Sequence, residues 1–221
     1  MKIIVTGATG MAGSEVIRQA IADAEIDQVT AIVRRPMQLH DPKIREIIQE
    51  DFLDYSGLEE VFKSNDACIW CLGISQTQVS KEMYFTITYE YAIAAARAIL
   101  QANPNINFVF LSGDGADNSE KSSTLFARVK GKTENELAKM PFKQLYIVRA
   151  GAIQPIHKNP RAPFIYKLLL PLFPLMKMLA PSKVITSVEL ARVMLFISKK
   201  GYNKRTIENK ELLEIHSGFK R

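Results

Sequence analysis

The chain has 221 residues, of which 47% are hydrophobic and 24% charged, a balance typical of a globular domain with one well-buried core. No apolar run is long enough to span a bilayer, and the chain begins directly on a strand without a cleavable signal peptide, so we expect a cytoplasmic protein. The net charge is +6, but the basic residues are scattered and no nucleic-acid-binding motif is present, which argues against nucleic acid as a partner.

Short apolar strands alternate with segments of helical periodicity along most of the chain. Strands are predicted at 2–6, 28–33, 44–49, 67–72, 107–111 and 144–149, with a last edge strand at 206–215. Helices are predicted at 12–24, 58–63, 81–102, 124–140 and 187–199. This alternation specifies a parallel sheet with right-handed crossovers. We therefore predict a three-layer α/β Rossmann fold, a doubly wound parallel sheet of about six to seven strands, in one domain over residues 1–221.

Residues 151–187 interrupt the alternation, and we expect them to form a small C-terminal cap and substrate region within the same domain. Their apolar part, 164–180, contains prolines that forbid one long regular helix. Two interpretations stay open. The segment forms broken helices that complete the core and line a substrate pocket, or it forms a mobile lid or a patch for dimerisation or membrane contact.

Cys68 and Cys71 have the CxxC spacing of some redox and metal sites. They lie, however, in an apolar run predicted to be a strand, where positions three apart face opposite sides. No second CxxC is present, and His40, His157 and His216 lack the spacing of metal ligands. We therefore interpret the cysteines as structural and predict no metal site.

A glycine-rich loop follows the first predicted strand and precedes the first predicted helix. Gly7, Gly10 and Gly13 are spaced GxxGxxG. Glycine is needed there for a tight turn, for close approach of the backbone to a pyrophosphate and for close packing of helix on strand. The helix N-terminus adds free N–H groups and a positive dipole. The strand–loop–helix context predicts a dinucleotide site.

The end of the second strand indicates which dinucleotide is bound. An NAD site places Asp or Glu there to bind the adenosine ribose, whereas this chain has Arg34 and Arg35 in "AIVRRP". A guanidinium matches the 2′-phosphate of NADP, so we predict NADP, with NAD less favoured and Arg34 the preferred contact. The alternative is a pair of solvated surface arginines. Asp51, after the third strand, is a candidate partner for the adenine amino group.

Several motifs, taken in order, resemble those of atypical short-chain dehydrogenases in the NAD(P)-binding Rossmann superfamily. They are "TGATGMAG", "VRR", "DF", "CLG", "LSGDGAD", "VKGKTENEL", "VRAG" and "IENKELLEIH". The chain resembles in particular the Tat-interacting oxidoreductase-like branch, near the NmrA-like NADP binders, over nearly its whole length. The resemblance implies the residues that line the adenosine and pyrophosphate: Gly7, Thr9, Gly10, Met11, Arg34, Asp51, Leu72 and Gly73.

The family's catalytic motif is incomplete in this chain. Active members pair a tyrosine, in YxxxK, with a serine after the fifth strand; the tyrosine exchanges a proton with the substrate, and the lysine lowers its pKa and binds ribose. Here "FARVK" keeps Lys130, but Phe126 replaces the tyrosine. Ser112 is present, and the next position, which often carries the hydroxyl, is Gly113. The resemblance thus leaves Lys130 and Ser112 as candidate catalytic residues.

Three explanations are compatible with the missing tyrosine. The protein holds NADP(H) without turnover as a sensor, or another acid serves, with Tyr84, Tyr89 and Tyr91 as candidates, or it is a reductase that needs little acid help. We predict an NADP(H)-binding oxidoreductase acting on a small apolar substrate, with a non-catalytic NADP(H)-sensing protein as the alternative. Homo-oligomers are common in this superfamily, but the sequence does not fix the number of chains.

Overall fold

The computed structural model describes residues 1–157 and 170–219, and within them it places strands and helices in alternation. The strands are β1 (Lys2–Thr6), β2 (Gln28–Val33), β3 (Ile44–Ile48), β4 (Ala67–Trp70), β5 (Asn107–Gly113), β6 (Gln144–Ala150), β7 (Ala152–Gln154), β8 (Val184–Thr186) and β9 (Thr206–Glu208). The α-helices are α1 (Met11–Ala22), α2 (Glu59–Lys63), α3 (Lys81–Phe85), α4 (Tyr91–Ala102), α5 (Leu125–Lys139), α6 (Phe173–Leu179), α7 (Ser187–Lys200) and α8 (Asn209–Gly218).

The main sheet confirms the predicted Rossmann architecture. It has seven strands in the order β3-β2-β1-β4-β5-β6-β9. All of its strand pairs are parallel. The chain order reverses at β1, which pairs with β2 on one side and β4 on the other. Ligands of open α/β sheets bind outside the carboxyl ends of the strands at such a switch point, so this edge is where a site is expected.

Helices cover both faces of the sheet and divide the core into two layers. One layer is built on α1, α7 and α8, with Val16, Leu190 and Leu212 fully buried. The other is built on α2, α4 and α5, and includes Phe62 and Ile99. Strands that are buried on both faces have continuous apolar sequences. The apolar runs in the sequence therefore place β1 and β4 close to their observed bounds.

The two cysteines are free thiols that face opposite layers of this core. Cys68 lies in the α2–α4 layer, whereas Cys71 packs against the layer that contains α1. Burial raises the pKa of the Cys71 thiol to about 12 and raises that of Cys68 as well. Neither thiol forms a reactive thiolate near neutral pH. No group of three or more metal-ligating side chains occurs among the residues that the structure describes.

The predicted helix at 81–102 is helical throughout but not uniform. It consists of α3, one π-helical turn at Thr86–Glu90, and α4. A π-helical turn inserts an extra residue and thereby rotates the helix faces on its two sides relative to each other; such turns are frequent at functional sites. Here the turn carries Ile87, and α4 begins with Tyr91 directly after it.

The prediction of an edge strand over 206–215 is wrong beyond its first three residues. Only Thr206–Glu208 pair with β6, and α8 begins at Asn209. The buried side chains of α8, at Asn209, Leu212 and His216, are three and four residues apart, which is a helical spacing. "NKELLE" also consists mostly of good helix formers. The prediction of a strand over 206–215 overlooked this helical spacing of the buried residues.

The predicted cap region contains two short paired strands and a short helix. β7 and β8 form a separate two-stranded parallel sheet, and α6 follows a 3₁₀ turn at Leu170–Leu172. Prolines 171, 174 and 181 lie at the starts of these short pieces, as their fixed φ requires. The part of the predicted cap at 158–169 lies outside the described residues. In the described ranges, no helix combines the length and apolar character that crossing a membrane requires.

Candidate cofactor site

The glycine loop is held against β4 more closely than any other residue type would allow. Gly7 has a φ of +62°, and a Cβ added there would lie 2.5 Å from the carbonyl oxygen of Cys71. A Cβ at Gly13 would lie 2.2 Å from the carbonyl oxygen of Gly7. Because carbon and oxygen do not approach so closely, side chains at these two positions would force the loop away from the sheet and the helix. The loop therefore leaves a cradle of bare backbone.

The first turn of α1 starts from this cradle. The helix N-cap is Gly10, which has no side chain, and its N–H donates to the Gly7 carbonyl at 2.8 Å. Met11 is the first helical residue and is half-buried. The N–H groups of a first helical turn, with the helix dipole behind them, form a site for an anion. The cradle and the helix end together fit a diphosphate.

A cavity of about 170 Å³ opens beside the loop at the carboxyl ends of β1, β2 and β4. Five of the predicted cofactor residues line it: Gly7, Thr9, Arg34, Leu72 and Gly73. Gly10, Met11 and Gly13 belong to the adjoining loop and helix start instead. The predicted residues at the ends of three neighbouring strands are therefore brought together.

Arg34 and Arg35 differ in their relation to this cavity. Both side chains are exposed, but only Arg34 lies in the cavity wall. Asp51 is outside the wall, and its carboxylate accepts a hydrogen bond from the Leu53 N–H at 2.8 Å. Its neighbour Glu50 lies in the wall instead. The cavity wall thus receives a carboxylate one residue earlier than the sequence suggests.

The apolar side of the cavity is formed by residues that sequence reasoning did not assign to the cofactor. Phe52 and Tyr91 lie in the wall with their ring centroids 5.6 Å apart, together with Ile32 and Ile87. This is the kind of surface on which a flat base stacks. Phe52 lay within the "DF" motif and was therefore within reach of a motif argument. Tyr91 and Ile87 depend on the π-helical turn, which no simple period reveals.

Lys130 projects from α5 to the end of β5. Its Nζ donates to the carbonyl oxygen of Leu111 at 3.0 Å and lies 4.9 Å from the centre of the Phe110 ring. Burial lowers the pKa of Lys130 to about 8, against the attraction of Glu134. The amine also interacts electrostatically with Cys71, which directly precedes Leu72 and Gly73 in the cavity wall. The lysine is therefore held near the cofactor cavity with an unusually labile proton.

Phe126 and Gly113, the two positions that depart from the family pattern, are in direct contact. A Cβ added at Gly113 would lie 2.5 Å from Cζ of Phe126, the tip of the ring. The backbone N–H of Phe126 donates to Oε1 of Gln76 at 2.9 Å, which fixes the start of α5. The phenyl ring thus occupies the space that a side chain at position 113 would need.

Ser112 belongs to a buried polar network behind the cavity. Its hydroxyl donates to Oε1 of Glu134 at 2.5 Å, and both side chains are buried. Glu134 is paired with the Arg149 guanidinium, which also contacts Glu208 at 3.0 Å and the side chain of Asn118. Pairing with Glu134 raises the pKa of Arg149 further. The hydroxyl proton of Ser112 is therefore already used in a hydrogen bond within this network.

The three tyrosines considered as replacement acids have different surroundings. Tyr84 is 1% exposed, and burial raises the pKa of its hydroxyl. The ring of Tyr89 packs at a tilt against Phe85, with the ring centroids 4.9 Å apart, and faces the Lys132 ammonium. Tyr91 lies in the apolar wall of the cavity, beside Phe52. Within the described residues, no hydrogen bond or ring contact joins any of these three tyrosines to Lys130.

Comparison with known proteins agrees with this geometry. A protein family described as NAD(P)H-binding matches residues 7–151. The leucinostatins biosynthesis cluster protein T of Purpureocillium lilacinum is 32% identical over 161 residues, which cover 70% of this chain and 58% of that protein. Protein HTATIP2 of Rattus norvegicus is 26% identical over 154 residues, covering 68% and 62%. The chain thus spans about three fifths of the length of these relatives.

Solved structures share the fold at low sequence identity. A UDP-glucose 4-epimerase from Thermotoga maritima has a TM-score of 0.67 and 14% identity, and the match covers 99% of this chain and 82% of that one. The Bordetella bronchiseptica enzyme WbmF, solved with NAD+, has a TM-score of 0.69 and 10% identity, covering 98% and 77%. The glycine cradle, the parallel sheet and the family match over residues 7–151 identify the chain as a member of the NAD(P)H-binding family.

Proposed function

We propose that this protein binds NADPH in preference to NADH and reduces a small, apolar carbonyl or quinone compound. The observation that carries the proposal is the position of Lys130, whose buried amine is held by the Leu111 carbonyl near the cofactor cavity. A cation kept beside the cavity at the cost of desolvation can both bind the nicotinamide ribose and give up a proton. The loss of the tyrosine at Phe126 is what favours the alternative, a non-catalytic NADP(H) sensor.

Each part of the nucleotide has a candidate partner in the site. The diphosphate lies on the Gly7–Gly13 loop and the first turn of α1, and the adenine lies against Phe52 and Tyr91. Arg34 binds the 2′-phosphate, with Arg35 adding charge from outside the cavity. Leu72 and Gly73 border the ribose side, Lys130 binds the nicotinamide ribose, and Asp51 remains the more distant candidate for the adenine amino group. When bound, NADPH supplies the hydride.

The proton is assigned to Lys130 itself. In the ordinary family site a tyrosine gives its proton to the substrate oxygen, but Phe126 has no proton to give. The Lys130 ammonium therefore donates: one N–H bond breaks, an O–H bond forms on the former carbonyl oxygen, and the neutral amine is reprotonated from water. A pKa near 8 suits this task, because the best acid has a pKa near the working pH.

Ser112 is assigned a positioning role in this scheme. Since its hydroxyl already donates to Glu134, it has no second proton with which to stabilise a substrate oxygen. Through Glu134 and Arg149 it ties the end of β5 to α5 and β6. The network lies one residue after Leu111, whose carbonyl oxygen accepts the hydrogen bond from Lys130.

The substrate lies between the nicotinamide end of the cofactor and the cap region at 151–187. The described part of the cap offers apolar side chains and no acidic cluster, which favours an uncharged substrate. We place the reaction in the cytoplasm and expect that a homo-oligomer forms, as is common in the superfamily.

The test compares NADPH oxidation over a panel of carbonyl and quinone compounds in the wild type and in Lys130→Ala. Turnover that is lost in Lys130→Ala, while NADPH still binds, supports the reductase. Tight NADPH binding without turnover on any compound would leave the sensor as the function. Turnover that survives in Lys130→Ala would show that the proton comes from another group.

A further inference from the structure

Gln76 lies in the loop between β4 and α3 and joins this loop to the start of α5. Its Oε1 accepts a hydrogen bond from the N–H of Phe126, in the first turn of α5, at 2.9 Å. The N-cap residue Thr124 makes no side-chain hydrogen bond to that turn, so a side chain from a distant loop satisfies one of its free N–H groups. The contact also fixes how the amide is turned, because only its oxygen can accept from an N–H.

The amide nitrogen of Gln76 keeps two N–H groups that can donate to a ligand. No described residue accepts a hydrogen bond from this Nε2, although the side chain is half-buried. The loop around it is braced by a turn: the N–H of Gln78 donates to the Ser75 carbonyl at 3.0 Å, and the N–H of Ser75 donates to Oε1 of Gln78 at 3.3 Å. The amide is therefore a hydrogen-bond donor that is oriented in advance of any ligand.

The position of this donor relates it to the proposed reaction. Phe126 occupies the tyrosine position of the family motif, and Lys130 follows one helical turn later on the same face of α5. The Lys130 amine interacts electrostatically with Cys71, directly after β4, and Ile74 of the following loop lies in the wall of the cofactor cavity. Gln76 and Lys130 thus both lie between the loop after β4 and α5, at the carboxyl end of the sheet.

We propose that Nε2 of Gln76 donates a hydrogen bond to the carbonyl oxygen of the substrate and holds that oxygen toward Lys130. This inference rests on the proposed reductase function. The oxygen gains negative charge as hydride adds to its carbon, and a preorganised neutral donor stabilises that charge. The Ser112 hydroxyl cannot do so, because it donates to Glu134. The amide keeps both of its protons, and the proton of the new O–H bond comes from Lys130.

Two variants separate the donor from the contact with α5. The carboxylate of Gln76→Glu still accepts from the Phe126 N–H but has no N–H to donate, whereas Gln76→Met removes both functions. NADPH oxidation is measured over the panel of carbonyl and quinone compounds, with NADPH affinity and thermal unfolding alongside. We expect kcat to fall about 100-fold in both variants. NADPH affinity, and the thermal unfolding of Gln76→Glu, should stay at the wild-type level.

The matched control is Gln78→Glu, which adds the same charge two residues away and keeps the acceptor for the Ser75 N–H. It should leave kcat at the wild-type level. Because a new carboxylate also favours the charged form of Lys130, kcat is compared at the pH maximum of each protein.

Turnover that survives in Gln76→Glu but is lost in Gln76→Met would assign Gln76 to the start of α5 alone and overturn the proposal. An equal loss in Gln78→Glu would also overturn it, since loop charge would then explain the effect. So would a rise in KM with kcat unchanged, because the amide would then not stabilise the developing charge. If the wild type turns over none of the compounds, the proposed reductase fails as well, whereas the other three results leave it standing.

Discussion

Phe126 and Gly113 are best understood as one structural unit. The ring tip of Phe126 faces the space where a side chain at 113 would start, 2.5 Å from its Cβ. Restoring only the tyrosine would push its hydroxyl toward the backbone of Gly113 instead of toward a substrate. The two departures from the family pattern therefore depend on each other, and reversing one alone does not rebuild the ordinary site.

A double-mutant cycle tests this coupling. Gly113→Ala should lower the free energy of unfolding by about 1–3 kcal/mol, because the added methyl group overpacks the ring. In a Phe126→Leu background, where the ring is gone, the same change should cost markedly less. Denaturant unfolding of the four proteins gives the coupling energy. Costs that simply add would show that the ring does not occupy the space of residue 113. By the same geometry, we expect Phe126→Tyr alone to bring no gain in turnover.

The proton on Lys130 predicts a pH profile. Burial lowers its pKa to about 8, so the ammonium needed as acid is present below that pH and is lost above it. We expect kcat to fall as pH rises through about 8. Lys130→Arg keeps the positive charge but has no titration in this range, and its kcat should be about 100-fold lower with NADPH affinity nearly unchanged. A wild-type kcat that does not change between about pH 6 and about pH 10 would contradict this role.

The same pKa shift also predicts how the free energy of unfolding changes with pH. The lysine titrates at about pH 10.4 in the unfolded chain and at about pH 8 in the folded chain. The buried charge therefore lowers the free energy of unfolding at neutral pH, and this free energy rises as the pH passes from about 8 to about 10.4. Lys130→Met should therefore raise the free energy of unfolding at pH 7 by about 1–3 kcal/mol, allowing for the lost hydrogen bond to Leu111. It should also abolish the rise in stability between pH 8 and 10. Destabilisation at pH 7 would mean that the amine is better satisfied than its burial indicates.

At the scale of elements, the turn from β1 to α1 determines whether a cofactor site exists. A Cβ at Gly13 would lie 2.2 Å from the Gly7 carbonyl oxygen, so Gly13→Ala must separate the helix from the loop. We expect a loss of about 2–3 kcal/mol in unfolding free energy and a loss of NADPH binding. Gly218→Ala is the control, because nothing lies within 4 Å of its added methyl group. Thermal unfolding and nucleotide titration report both effects, and an unaffected Gly13→Ala protein would refute the close approach.

Elements that are encoded by a short stretch of the chain could be predicted from the sequence. Features that depend on packing between distant residues could not. The buried strands follow from apolar runs in the sequence. The glycine turn follows from positions that only glycine fits. The helix at 209–218 was missed because β9, three residues long, runs directly into it without a loop. The contact of Phe126 with Gly113 and the pairing of Phe52 with Tyr91 join residues far apart in the chain, and only the folded sheet brings them together.

For the whole molecule, the site is a consequence of sheet topology. Residues from the ends of β1, β2 and β4 meet because the strand order reverses at β1. On this edge we expect the bare loop and the helix end to receive the negative charge of a diphosphate. Arg34 stands in the cavity wall, where we place the adenosine ribose. The whole account depends on a pyridine nucleotide that binds here and carries a 2′-phosphate.

Calorimetric titration of NADPH and NADH into the wild type, Arg34→Ala and Arg35→Ala tests this most directly. We predict that the wild type binds NADPH more tightly than NADH and that Arg34→Ala weakens NADPH by about 1–3 kcal/mol while barely changing NADH. Arg35→Ala, whose side chain is outside the cavity wall, should have the smaller effect. Equal affinity of the wild type for both nucleotides would contradict the assignment of Arg34, and failure to bind either would contradict the site itself.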